Sequence, residues 1–242
     1  MIETHDLCKR FGDKRAVEHL TLIAYPGQVT GFLGPNGSGK TTTIRLLMGL
    51  LRPSAGRASI LGRDCQKEAT ALKREVGYLP EDPFLYPYLT GRELLEFVAG
   101  LHGFSRIQAR RRAGEALERF GLQAQQSGFA VTYSLGMRKR LALAAALIHD
   151  PRVLILDEPT NGLDPQGARE MRDLMSALAA EGRTVFLSTH LLDVADKICH
   201  RVVVIKEGVL LAAGTPAELR VQQGLGPQAS LEDIFLKLTA GP

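Results

Sequence analysis

The clearest chemical signal in the chain is the glycine-rich run GPNGSGKT at residues 34–41. It matches the pattern G-x-x-x-x-G-K-[ST], in which the glycines let consecutive backbone N–H groups turn toward phosphate oxygens. The lysine of such a loop reaches the β- and γ-phosphates, and the hydroxyl that follows it can ligate Mg²⁺. The residues predicted to hold the phosphates are Gly34, Pro35, Asn36, Gly37, Ser38, Gly39, Lys40, Thr41 and Thr42, with Thr41 also a metal ligand.

Two adjacent carboxylates follow a second apolar run, VLILDEP at residues 153–159. Four consecutive apolar residues are typical of a buried parallel strand, and such strands present ligand-binding side chains at their carboxyl ends. We expect Asp157 to hold Mg²⁺ through water and Glu158 to polarise the attacking water. The alternative is a core strand that ends in a solvated acidic pair, and the glycine loop makes this alternative the weaker one.

A histidine ends another apolar strand, within the sequence VFLSTH at residues 185–190. We expect His190 to hydrogen-bond the γ-phosphate and the water near Glu158, although a lone histidine at a strand end is more often structural. The predicted catalytic residues are therefore Lys40, Glu158 and His190.

These residues require strands and helices that bring them together. The pattern predicts a strand at Val29–Leu33 and a helix at Lys40–Leu51. Further strands are predicted in RASILG, REVGYLP, VLILD, TVFLST and RVVVIKEG, the last of these turning at Glu207-Gly208 into a hairpin. Residues 84–150 read as mostly helical, with a capping box at Thr90–Glu93. We therefore predict one α/β domain over residues 1–242, with a core at 1–83 and 151–242 and a helical insertion at about 84–150.

Composition limits the class of protein. Of 242 residues, 45% are apolar and 23% are charged, and the net charge is +4, which is ordinary for a soluble globular protein and favours neither nucleic acid nor anionic membranes. Cys8, Cys65 and Cys199 lack metal-binding spacing and are interpreted as reduced thiols. The N-terminus lacks the apolar segment of a signal peptide, and the longest apolar run, residues 141–148, is much shorter than the roughly 20 residues of a membrane span. Any membrane association is therefore expected through a partner.

The motif that distinguishes between nucleotide hydrolases is YSLGMRKRL at residues 133–141, which begins a predicted helix before VLILDEPTNGLDP. The sequence has no N-K-x-D guanine motif, and Glu158 beside Asp157 suits hydrolysis better than transfer to a hydroxyl. In this order the motifs resemble those of ABC-type ATPases over essentially the whole chain. The resemblance implies a P-loop NTPase (RecA-like) core with an antiparallel β subdomain and an inserted helical signature subdomain, and hydrolysis of ATP with Mg²⁺.

The resemblance also implies roles for residues outside the glycine loop. ABC domains pair head to tail, so Ser134 and Gly136 would contact the γ-phosphate of ATP held by the other subunit. Asp164 would communicate across the dimer, and Phe11 would stack on adenine. The alternatives are an ordinary helix N-cap for Ser134 and a core position for Phe11.

Two positions depart from the usual family pattern. Leu135 replaces the first signature glycine, and Glu81 in GYLPE replaces a glutamine. We expect Glu81 to ligate Mg²⁺ directly or through water in the closed state of the dimer. Two carboxylates about 4 Å apart repel by ~4 kcal/mol at an effective dielectric near 20, which Mg²⁺, protonation or separation of the groups would relieve. Both departures, and the tail at residues 230–241, resemble the bacterial branch that serves multidrug, antibiotic and sodium exporters.

The function implied is the ATP-hydrolysing subunit of a transporter, bound at the cytoplasmic face of the membrane to a separate permease subunit that docks near Glu81 and residues 83–88. It would form a homodimer with ATP and would not bind nucleic acid directly. One alternative is a soluble ABC ATPase that acts on nucleic acid or ribosomes, for which the basic cluster Arg106, Arg110, Arg111 and Arg112 would be the contact. The other is a structural partner with impaired catalysis.

Overall fold

The computed structural model describes residues 1–239, and residues 240–242, including the end of the predicted tail, lie outside the described part. Within residues 1–239 the strands are β1 (Ile2–Phe11), β2 (Lys14–Ala24), β3 (Val29–Leu33), β4 (Ala55–Ile60), β5 (Arg63–Asp64), β6 (Val76–Leu79), β7 (Val153–Asp157), β8 (Thr184–Thr189), β9 (Arg201–Lys206) and β10 (Val209–Gly214). The α-helices of the same part are α1 (Lys40–Leu47), α2 (Ala69–Leu72), α3 (Gly91–Leu101), α4 (Arg106–Arg119), α5 (Leu135–Leu147), α6 (Pro165–Ala180), α7 (Leu192–Ile198), α8 (Pro216–Gln222) and α9 (Leu231–Thr239).

The strands form one sheet in the order β5-β4-β1-β2-β10-β9-β3-β8-β7-β6. At one end β9, β3, β8, β7 and β6 run parallel, and at the other β2, β1, β4 and β5 are antiparallel. The two parts meet where β2 pairs with β10. The parallel part places the ends of β3, β7 and β8 side by side, so the loops that carry the predicted site share one edge.

The alternation of side chains along each parallel strand fills two cores. In β7, Leu154 and Leu156 face the core beneath α3 to α9, whereas Val153 and Ile155 face the core shared with α1 and the antiparallel strands. Burial on both faces explains why this strand reads as an uninterrupted apolar run. The strands predicted at 29–33 and 153–157 are confirmed.

The helix predicted at Lys40–Leu51 is shorter than expected, and this prediction was wrong at its C-terminal end. α1 ends at Leu47, and Gly49 follows with φ of 66°. A Cβ atom at Gly49 would lie 2.5 Å from the carbonyl oxygen of Cys65, so the chain turns away there and only glycine fits. The predicted hairpin at Glu207-Gly208 is confirmed, with φ of 52° and 83° at its two central residues.

Three longer helices, α3 to α5, occupy the stretch predicted to be helical. α3 packs on both α4 and α5, and α5 packs on β6. The capping box at Thr90 is confirmed: its hydroxyl accepts from Glu93 N at 3.2 Å, and its own N–H donates to the Glu93 carboxylate at 2.9 Å. The division into a core and a helical subdomain at about residues 84 and 150 stays a prediction. No helix within residues 1–239 has the length and apolar character needed to cross a membrane.

Three of the four arginines in the basic cluster on α4 contact groups of the protein itself. Arg110 lies 4.0 Å from Glu96, and Arg111 lies 3.6 Å from Glu115. Arg112 stacks on the ring of Phe104 and donates to a backbone carbonyl. These contacts favour a solvated helix face over a phosphate-binding surface.

Candidate active site

The glycine loop connects β3 to α1, and its shape depends on glycine at two positions. Gly39 has φ of 108° and caps α1 immediately before Lys40. A Cβ atom on Gly34 would lie 2.3 Å from the carbonyl oxygen of Ile205, so the loop lies against β9 without room for a side chain. The loop therefore aims its N–H groups and the positive end of the α1 dipole into the same space.

Lys40 is buried and points into this loop. Its Nζ donates to the carbonyl oxygens of Gly34 at 2.8 Å and Pro35 at 3.3 Å. The Ser38 hydroxyl is also buried, and within residues 1–239 it has no hydrogen-bond partner. A buried hydroxyl without a partner costs free energy, and a phosphate oxygen would satisfy it.

The predicted catalytic residues meet at the carboxyl ends of β7 and β8. One Glu158 oxygen, Oε1, lies 3.4 Å from Lys40 Nζ, and the other, Oε2, lies 3.0 Å from His190 Nδ1. Glu158 is 5% exposed. The structure therefore brings Lys40, Glu158 and His190 together, as the sequence predicts.

The Glu158 carboxylate retains a free hydrogen-bonding position. The distance from Lys40 to Oε1 suits an ion pair, but its direction does not suit a hydrogen bond, so in residues 1–239 Oε1 accepts none. The backbone of Glu158 is fixed by Ser188, which accepts from its N–H through the carbonyl at 3.1 Å and the hydroxyl at 3.2 Å. A buried carboxylate oxygen with a free lone pair can accept a proton from water.

The predicted metal ligands offer oxygen donors of the kind that Mg²⁺ prefers. Asp157 is buried and accepts a hydrogen bond from the Ser188 hydroxyl, Thr41 lies in the first turn of α1, and Glu81 is exposed and accepts from Asn161 Nδ2 at 3.4 Å. The described residues contain no cluster of three metal-binding side chains. This fits Mg²⁺, which is commonly held by one or two carboxylates together with phosphates and water.

The signature residues line a different cleft from the glycine loop. Ser134 caps α5 by accepting from Met137 N at 3.3 Å, and Asp164 caps α6 by accepting from Gly167 N at 2.8 Å. Both border a cleft of about 890 Å³, as does Gly136. Of the described residues, those that line this cleft include none from 34–42. Ser134, Gly136 and Asp164 therefore share this cleft with one another and not with the chain's own glycine loop.

Leu135 packs against the loop that precedes α6. A Cβ atom on Gly162 would lie 2.7 Å from Leu135 Cδ2, so the leucine side chain covers this glycine. The core position considered for Phe11 is wrong, because Phe11 is 48% exposed at the end of β1. Lys9 Nζ lies 4.9 Å from its ring centroid. Its role in stacking on adenine stays a prediction.

Sequence reasoning missed Lys139, which is buried in α5. Its Nζ donates to the carbonyl oxygens of Glu158 at 3.1 Å and Asn161 at 2.5 Å. The available signal was a lysine within a helix whose other buried residues are Leu and Ala.

Comparisons with known proteins identify the family to which this chain belongs. The chain matches the family described as "ABC transporter" over residues 17–161. It is 46% identical to the daunorubicin resistance ATP-binding protein DrrA3 of Streptomyces coeruleorubidus over 89% of this chain and 68% of that protein. It is 39% identical to the Nod factor export ATP-binding protein I of Paraburkholderia xenovorans over 90% of this chain and 72% of the relative.

Solved structures confirm the predicted fold. An ATP-binding subunit of an ABC transporter superposes with a TM-score of 0.91 at 33% identity, covering 99% of both chains. A dimeric post-hydrolysis state of the ATP-binding cassette MJ0796, bound to ADP and Pi, superposes with a TM-score of 0.82 at 25% identity, covering 89% of this chain and 98% of that one. The chain therefore belongs to the ABC transporter family, as an ATP-binding subunit that hydrolyses ATP.

Proposed function

We propose that two copies of the chain close head to tail around two ATP molecules and power an export permease. Ser134 and Gly136 of each copy contact the γ-phosphate bound by the glycine loop of the other. The observation that carries this proposal is the separation of the two halves of the site, since the signature cleft lies apart from the loop at 34–42. A hydroxyl and free N–H groups at the start of α5 suit an anion that arrives from another chain.

Hydrolysis is assigned to the three residues that meet at the end of β7. Lys40 binds the β- and γ-phosphates, and the free Oε1 of Glu158 orients the attacking water and accepts its proton. His190 hydrogen-bonds the γ-phosphate and holds Glu158 in place. Thr41, Asp157 and Glu81 would hold Mg²⁺, which neutralises phosphate charge when bound.

Two predicted residues remain: Phe11 is assigned to stacking on adenine, and Asp164 to the contact between the two copies. Phe11 is exposed and free of the core, as a ring that stacks on a base must be. Asp164 lines the signature cleft and is exposed, so a second copy could contact it. The dimeric cassette to which this chain is similar supports pairing of this kind.

A test of the head-to-tail arrangement uses two inactive variants. In Lys40→Ala the glycine loop cannot bind phosphate, and in Ser134→Arg the signature is blocked. In a mixed dimer one of the two sites combines an intact loop with an intact signature, so mixing should restore about a quarter of wild-type ATPase activity if the copies pair randomly. If each signature served its own loop, the mixture would be as inactive as either variant alone.

The permease is proposed to dock on an aromatic surface formed by Phe84, Tyr86 and Phe97. The rings stand edge to face, with centroids 5.7 and 5.5 Å apart, and Phe84 is 79% exposed. Exposed aromatic clusters of this kind mark interaction sites. Tyr86→Ala should prevent assembly with the membrane subunit while ATP still binds. Val221→Ala is the control, since Val221 is also an exposed apolar residue but lies on α8, outside this aromatic surface. Normal assembly of Tyr86→Ala would rule this surface out.

The names of the relatives support the proposal of export, and a position at the cytoplasmic face of the membrane is part of the same proposal. One relative is a resistance protein and another an export protein by name, so we assign this chain to an exporter. Direct binding to nucleic acid has no comparable support, since three of the four arginines in the basic cluster on α4 contact the protein's own groups. A steep salt dependence of RNA or DNA binding would contradict this assignment.

A further inference from the structure

Lys139 is a buried cation whose hydrogen-bond partners are backbone carbonyls. The residue is 2% exposed, and its Nζ reaches the carbonyl oxygens of Glu158 and Asn161. Burial lowers the pKa of Lys139, and the nearby Glu81 and Glu158 carboxylates oppose this effect. Burying an ammonium group costs free energy, which its hydrogen bonds must offset. A lysine at this position is therefore more readily explained if it has a role than if it serves packing alone.

The carbonyl that Lys139 holds belongs to a residue with an unusual backbone. Glu158 has φ of 48°, in the left-handed region that a residue with a side chain rarely adopts. Its N–H is held by Ser188, and its carbonyl oxygen accepts from Lys139 and from Asn161 N at 3.2 Å. These hydrogen bonds on both sides keep the Glu158 side chain aimed at Lys40 and His190.

The same contacts join three parts of the site. Lys139 lies on α5, the helix that begins at the signature serine. The turn that it binds, residues 158–161, carries Asn161, whose side chain donates to Glu81 at 3.4 Å. A displacement of α5 would therefore be transmitted to the backbone of Glu158.

We propose that Lys139 is a positioning residue for hydrolysis, which fixes the backbone of Glu158 to the signature helix. This inference rests on the proposed role of Glu158 as the residue that activates water. Lys139 takes no chemical step itself and acts through the carbonyl oxygens of Glu158 and Asn161.

The test compares kcat and KM for ATP in three variants of the full chain. Lys139→Met keeps the aliphatic chain but removes the donors, and kcat should fall about 10- to 100-fold because the carboxylate is misplaced, with KM little changed. Lys139→Arg keeps charge and donors and should recover most of this loss. Lys206→Met is the matched control, since Lys206 also donates to a backbone carbonyl, that of Thr239 at 2.9 Å, and should keep wild-type kcat.

Two further measurements separate this inference from a loss of folding and from the proposed function. Circular dichroism checks each variant, and Lys139→Gln replaces Lys139→Met if the latter does not fold. In a Glu158→Gln background, Lys139→Met should lower the residual rate by less than about twofold, because a residue that acts through Glu158 has nothing left to position.

The outcomes are distinct. If Glu158→Gln keeps wild-type kcat, the proposed role of Glu158 fails. If Glu158→Gln strongly lowers kcat but Lys139→Met keeps wild-type kcat, the positioning role alone is wrong. It is equally wrong if Lys139→Met raises KM without lowering kcat, or if Lys139→Arg recovers nothing.

Discussion

A stacked pair of histidines should make this protein sensitive to mild acid. His102, after α3, and His149, after α5, lie with ring centroids 3.7 Å apart and planes inclined by 6°. Within residues 1–239 neither ring nitrogen of His149 has a hydrogen-bond partner. Burial lowers the pKa of His149 to about 4, and the charges of His102 and Arg112 act in the same direction, opposed by the Val76 backbone and by Asp150.

The sign of the effect follows from the lowered pKa. The unfolded chain binds a proton at His149 near pH 6.5, but the folded chain does so only near pH 4, so stability is fully present above pH 6.5 and is lost as the pH falls toward 4. A shift of this size corresponds to roughly 3 kcal/mol at 1.36 kcal/mol per unit. Because the ring is partly exposed, solvent screening reduces the expected loss to roughly 1–2 kcal/mol.

Urea unfolding followed by circular dichroism at pH 7.5 and pH 5.0 measures this loss. His149→Phe keeps a flat ring but cannot be protonated, so its free energy of unfolding should fall less over this range than that of the wild type, by roughly 1–2 kcal/mol. His5→Gln, at an exposed position, should keep the wild-type dependence. Equal pH dependence in the wild type and His149→Phe would refute the reasoning.

Three other predictions concern capping, the glycine loop and the metal. Thr90→Ala should lower the free energy of unfolding by about 1 kcal/mol, because it removes the capping box that Thr90 forms with Glu93; an unchanged urea midpoint would contradict this. Gly34→Ala should weaken binding of a fluorescent ATP analogue at least ~10-fold, since the added Cβ forces the loop away from β9; wild-type affinity would show that the loop adapts. Glu81→Gln should shift the Mg²⁺ dependence of ATPase activity to higher concentration, and an unchanged titration would remove Glu81 from the metal site.

The residues that do chemistry could be located from the sequence because their elements have strong local signals. The short run VTGFL, which leads into the glycine loop, predicted β3, and the uninterrupted apolar run VLIL predicted β7. Parallel strands place their ends at one edge. The glycine loop fixes its own conformation through positive φ angles and lack of side chains. The sequence patterns of the individual strands and of the glycine loop were therefore enough to predict that Lys40, Glu158 and His190 lie together.

The features that could not be predicted from the sequence depend on contacts between elements that are distant along the chain. The Lys139 hydrogen bonds join α5 to a turn 19 and 22 residues along the chain, and helical periodicity contains no information about them. β1 was missed because bulges near Thr4 and Leu7 interrupt its alternation of buried and exposed residues. The packing of Leu135 on Gly162 likewise appears only once α5 and the loop before α6 are in place.

The central claim is that Ser134 serves ATP held by a second copy, and the molar mass of Glu158→Gln in solution tests it most directly. This substitution removes the residue that activates water but keeps the glycine loop. Light scattering after size exclusion should therefore show twice the mass of one chain with ATP and the mass of one chain without it. Adding Ser134→Arg should abolish the dimer. A monomer that binds ATP, or a dimer that persists in Ser134→Arg, would contradict the claim.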